Sequence, residues 1–175
     1  MLSGLSLILT GIVLTAAFID LRSQKIPNTL TFPSMGIGVV GNVWLQGQEG
    51  LWFSLGGLIL GLCILIGFYA LGGMAAGDVK LMAAVGSFLG PIHIILVFLM
   101  TAILGGIYSV GMMIHEAGVR GTIDRIGVIF KTLLLTGKVK MAFASDGIHQ
   151  KKLRYGLVIA LGTLTYQFWF WAGIG

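Results

Sequence analysis

Residues 51–71 read LWFSLGGLILGLCILIGFYAL, without one charged side chain. About 20 apolar residues in a helix cross the roughly 30 Å of bilayer hydrocarbon, so this stretch is expected to span a membrane. Reading outward repeats the pattern. Toward the N-terminus lie two more apolar stretches, Leu2 to Ile19 and Thr29 to Leu45. The polar turn Asp20-Leu21-Arg22-Ser23-Gln24-Lys25-Ile26-Pro27-Asn28 separates them, with Asn28 expected as the N-cap of the helix it precedes. Gln46 to Gly50, carrying Glu49, is expected to be a short loop. Toward the C-terminus, Gly72-Gly73-Met74-Ala75-Ala76-Gly77-Asp78 breaks the apolar run, because glycines this dense favour turns.

The apolar pattern then resumes from Asp78 to Ile114, interrupted by Gly90-Pro91. A split there gives a fourth helix, Asp78 to Leu89, and a fifth, Ile92 to Ile114. The fourth reaches only about 18 Å and is too short to cross alone. Residues 115–152 are polar and basic, with Ile123, Ile126, Ile129, Phe130 and Leu133 at helical spacing. They are expected to place an amphipathic segment on the membrane surface. Leu153 to Ala172 is the last span, with Trp169, Phe170 and Trp171 as its interfacial anchor. The expected fold is all-α and polytopic. It has six transmembrane helices and a cytoplasmic loop at about 115–152, in a single membrane-embedded domain over residues 1–175.

Composition agrees. Of the 175 residues, 57% are hydrophobic and only 10% charged, against about 25% charged in soluble domains. A soluble globular protein, a disordered chain and a nucleic-acid binder with a basic surface are excluded. The N-terminal stretch lacks the basic n-region and clean cleavage site of a signal peptide. Cys63 is the single cysteine, which leaves no internal disulfide and no cysteine-based zinc site.

The positive charges orient the chain. Arg22 and Lys25 lie in the first loop, Lys80 follows the third span, and Arg120, Arg125, Lys131, Lys138, Lys140, Lys151, Lys152 and Arg154 lie in or border the long loop. All 11 fall on one side of the six-span arrangement. The positive-inside rule makes that side the cytoplasm and puts both termini outside.

Six acids remain to carry chemistry: Asp20, Glu49, Asp78, Glu116, Asp124 and Asp146. Four sit in loops or at a loop edge and read as solvated surface. Asp20 and Asp78 stand where hydrophobic spans meet the cytoplasmic face, at one depth on one side, and ionisable groups there are costly. Asp78 could be a plain N-cap, and Asp20 could form a salt bridge with Arg22 or Lys25. As a pair they suggest more. Two facing carboxyls share a proton, one serving as base toward water and the other as acid toward a carbonyl. His93, His115 and His149 have no metal-ligand spacing, so neither a metal nor another cofactor is expected. Lys80 could snorkel to the interface or bias the proton balance of Asp78. A rival reading is a small proton-coupled transporter or channel subunit with Asp20 and Asp78 as proton carriers. It would be favoured by acids deep in several helices or by an inverted repeat, and the sequence has neither.

Asp20 followed by Lys25-Ile26-Pro27-Asn28, then Ala76-Gly77-Asp78-Val79-Lys80-Leu81, resembles the type IV prepilin peptidases, intramembrane aspartic proteases of the GxGD class. Arg154-Tyr155-Gly156, with Ala160 and Gly162, resembles that family's Pro-Tyr-Gly start of the last helix. The first glycine of the motif is Ala75 here. The resemblance implies a catalytic Asp20/Asp78 dyad, with Gly77, Lys80, Pro27, Asn28, Tyr155 and Gly156 supporting the site or binding substrate. It implies substrates with a basic leader, a glycine before the cut and a hydrophobic helix after it. The longer members carry a cysteine-paired cytoplasmic domain between their first two helices and also N-methylate the new pilin terminus. This chain has no such insertion, so the resemblance is to the short form serving Flp/tad-type pili or pseudopilins, and methyl transfer is not expected. The bacterial inner membrane is the implied location. The basic long loop is assigned to anionic lipid headgroups.

Overall fold

The computed structural model describes residues 4–70, 73–136 and 155–173. They form five helices: α1 (Gly4–Ser23), α2 (Asn28–Gln46), α3 (Gln48–Ala70), α4 (Ala76–Thr136) and α5 (Tyr155–Trp171). No strand occurs among the described residues. The helices fall into two compact units, one holding residues up to Leu104 together with α5, the other starting at Gly105.

In the first unit, α1 closes at Gln24, whose left-handed φ of 51° lets its N–H reach Asp20 O at 3.0 Å. α2 begins one residue earlier than expected. Pro27, in extended conformation, occupies the N-cap position without a side-chain bond, so Asn28 is the first helical residue and not the cap. Gly47, with φ 62°, makes the whole α2–α3 connection, and Glu49 lies in the first turn of α3 instead of in a loop.

The expected fourth and fifth helices form one element, and α4 also continues past Ile114 to Thr136. The break at Gly90-Pro91 is still a reversal of direction. Gly90 has φ 78°, a conformation open to glycine at no steric cost. Before it, Gly86 backs onto Gly57 and Met82 onto Gly61, antiparallel to α3. After it, His93 lies 5.9 Å from the Tyr166 ring and Thr101 packs on Gly162, antiparallel to α5. α5 in turn runs antiparallel to α1. Gly156 touches Asp20 at one end, and Gln167 bonds Thr10 and Ser6 at the other.

Besides a buried apolar core that includes Leu9, Leu81 and Ile159, two further kinds of contact hold the unit. Glycine pairs such as Gly57 and Gly86 allow backbone-to-backbone approach, as expected where helices lack a hydrophobic drive to associate. Beside them lies a buried polar cluster. Asn42 Nδ2 donates to Ser54 Oγ at 3.0 Å and Ser87 O at 3.0 Å, and Ser54 Oγ donates to Ser87 O at 2.7 Å. The outside is apolar, with Trp44 88% exposed, Trp52 68% and Phe168 68%. Among the described residues, three helical stretches are long and apolar enough to cross a membrane: Gly4–Ser23, Gln48–Ala70 and Ala76–His115. Of the expected amphipathic segment, residues 115–136 are helical, with φ 71° at Gly118. Residues 137–152 of that segment lie outside the described residues.

Candidate active site

Asp20 sits in the last turn of α1 and is only 5% exposed. The end of a helix repels an anion, yet this carboxylate faces the start of another helix. Leu157 N–H, in the first turn of α5, donates to Asp20 Oδ2 at 3.3 Å. Gly156 permits that approach. A methyl group there would lie 3.0 Å from Asp20 Cβ and Cγ. Arg22, two residues on, lays its guanidinium 4.5 Å from the Phe18 ring centroid.

Asp78 is 4% exposed. It is the third residue of α4, not its N-cap. Ala75 N–H donates to Asp78 Oδ2 at 3.1 Å, so the Asp78 side chain reaches back to cap the start of its own helix, while Asp78 N–H donates to the Ala75 backbone O at 3.1 Å and closes the turn. Ala75 supports this without a positive φ, since Gln24 is the one non-glycine residue with positive φ among the described residues. Alanine in place of the motif's first glycine therefore needs no left-handed backbone at this turn.

The two carboxylates lie within electrostatic reach of each other, and Tyr155, half-buried at the start of α5, lies within reach of Asp78. Lys80 Nζ donates to Asn28 Oδ1 at 2.8 Å and stands 5.0 Å over the Phe32 ring, so it braces the rim of the site. Pro27 serves as the helix start of α2. Gly77 packs against Ile26. The expected residues thus gather around the meeting point of α1, the α1–α2 turn, α4 and α5. Sequence reasoning missed Ile26, which is buried at the centre of that point. An apolar residue stranded in a polar turn was the available signal.

No group of three or more metal-ligating side chains occurs among the described residues. His149 lies outside them. Cys63 is exposed on α3. What the site offers is two buried carboxyls, each with an oxygen held by a backbone N–H, which is equipment for moving protons at a bound water.

Residues 7–110, more than half the chain, match the model of the type IV leader peptidase family. The prepilin leader peptidase/N-methyltransferase of Aeromonas salmonicida is 31% identical over 116 residues, which is 62% of this chain and 40% of that protein. The protein of the same name from Neisseria gonorrhoeae is 29% identical over 121 residues, 63% of this chain and 41% of that one. The match thus spans about two fifths of the length of these curated relatives. No solved structure matches the chain.

Proposed function

This chain belongs to the type IV leader peptidase family, and on that premise we propose that it is a membrane-embedded aspartic endopeptidase that removes the leader from prepilin-like precursors. The observation that carries the reading is the burial of Asp20 and Asp78 within electrostatic reach of each other, at the ends of two apolar helices. A dyad of this kind works with one proton between its members. One carboxylate takes a proton from water while its partner gives one to the scissile carbonyl, and the peptide bond breaks through a tetrahedral intermediate.

Six membrane crossings suit this chemistry. Reversal at Gly90 lets the 40-residue apolar part of α4 pass up and back, and α2 and α5 complete the set. Asp20 and Asp78 then share one face, which the positive residues assign to the cytoplasm of a bacterial inner membrane. A precursor's basic leader stays on that face before export, while its hydrophobic helix lies in the bilayer against the bundle. Flp-type pilins and pseudopilins are the substrates we favour. The relatives are also named N-methyltransferases. Leader cleavage is the activity we propose for this chain.

The test is processing of a prepilin-like precursor in membranes carrying the native chain, Asp20→Asn or Asp78→Asn. Each variant is expected to accumulate normally and leave the precursor uncut. Near-normal processing by either one removes that residue from the mechanism.

A further inference from the structure

The Ile26 side chain reaches the turns that carry both aspartates. It is buried, with 8% exposure, although it stands in the short polar connection between α1 and α2. Its Cβ and carbonyl oxygen lie so near Gly77 that a methyl group there would come within 3.1 Å of each. On its other side, its Cδ1 reaches Gly156, where a methyl group would lie 2.9 Å away. Gly77 immediately precedes Asp78, and Gly156 packs on Asp20 Cγ and immediately precedes the N–H that holds Asp20 Oδ2. Two glycines thus open the space, and one branched side chain fills it. The same connection is tied at both ends. Gln24 N–H bonds Asp20 O at 3.0 Å, and Asn28 Oδ1 accepts from Lys80 Nζ at 2.8 Å.

We propose that Ile26 is a positioning residue, a spacer whose side chain sets the separation of the Asp20 and Asp78 carboxyls; this rests on the dyad reading above. It acts through the first turns of α4 and α5, whose positions relative to α1 it fixes from inside. Ångström-scale misplacement of catalytic groups is enough to cost about 100-fold in rate.

The experiment assays Ile26→Val and Ile26→Ala in membranes. The probe is a synthetic precursor with a basic leader, a glycine before the cut and a hydrophobic helix after it. Ile26→Ala is expected to lower kcat about 100-fold per folded enzyme with KM within about twofold. Ile26→Val, which loses only the Cδ1 that reaches Gly156, is expected to lower it about fivefold. The separation of the two limbs of the pH–rate profile is expected to change by about half a pH unit or more, because spacing sets the coupling of the two carboxyls. A merely structural side chain would reduce the amount of folded enzyme and leave kcat and the pH limbs unmoved, and that result overturns the proposal. A loss confined to KM overturns it too. Should Ile26→Ala fail to accumulate, the valine variant decides on the same readouts. Active Asp20→Asn or Asp78→Asn enzymes would overturn the dyad and the spacer together. Inactive aspartate variants beside an Ile26→Ala enzyme of normal kcat would overturn the spacer alone.

Discussion

Lys80 Nζ donates a 2.8 Å hydrogen bond to Asn28 Oδ1, tying the start of α4 to the first residue of α2. Two residues before Lys80 stands Asp78, so the bond braces the turn that aims one carboxyl. Lys80→Met and Asn28→Ala should each lower kcat/KM several-fold, the effect of losing about 1 kcal/mol, because solvent exposure weakens this charged hydrogen bond below its buried worth. The double variant should be no worse than the worse single one, because both remove the same contact. Additive losses, measured as kcat/KM on one precursor, would mean that the two side chains act separately.

Gly57 and Gly86 meet backbone to backbone. A methyl group on either would strike the other's carbonyl oxygen. Gly57→Ala is therefore expected to destabilise the bundle by about 1–3 kcal/mol, the usual cost of overpacking a fitted contact. Gly67 faces open space, and Gly67→Ala should be neutral or slightly stabilising. Thermal unfolding in detergent, followed for both variants, checks the contrast. Equal melting temperatures would show that α3 and the first part of α4 are not held by this contact.

Proteolysis is expected to need neither metal nor thiol. In the proposed mechanism the two acids move protons unaided, and Cys63 sits exposed on the apolar helix α3. Full activity should survive both a chelator and Cys63→Ser. Activity lost to the chelator and restored by zinc would point to a different chemistry.

Much of this was legible because membrane spans write themselves as uninterrupted apolar runs, and because acids beside such runs are few. Asp20 and Asp78 stood out for that reason. Gly90-Pro91 was legible as a break, though hydrogen bonding carries α4 through it and hides the reversal from the helix boundaries alone. What stayed hidden depends on contact between distant segments. No local pattern shows that Ile26 enters the gap left by Gly77 and Gly156, or that Asn42, Ser54 and Ser87 close one polar cluster across three helices. Asn28 misled because an asparagine before an apolar run is a common cap, whereas here Pro27 starts the helix and the Asn28 side chain serves Lys80.

Topology carries the final prediction, since a dyad forms only if both aspartates reach the same face. Within the first unit, Gly156 touches Asp20 and Ile26 touches Gly77, which places the α1–α2 turn, the start of α4 and the start of α5 at one end. Gly47 and Glu49 lie at the far end of α2, a helix of 19 residues. At about 1.5 Å per residue that is roughly 28 Å away, close to the thickness of the hydrocarbon. Ser23 and Glu49 should therefore open onto opposite sides of the membrane. Lys and Arg resist translocation, so the Ser23 side is expected to face the cytoplasm. In a Cys63→Ser background, Ser23→Cys and Ser145→Cys are expected to react only with reagent admitted to the inside. Glu49→Cys should react with impermeant reagent from outside. Labelling of Ser23→Cys from outside would reverse the orientation and strand the dyad away from the leader of an unexported precursor. Labelling of Glu49→Cys and Ser23→Cys from the same side would deny that α2 crosses at all, and the six-crossing arrangement would fall with it.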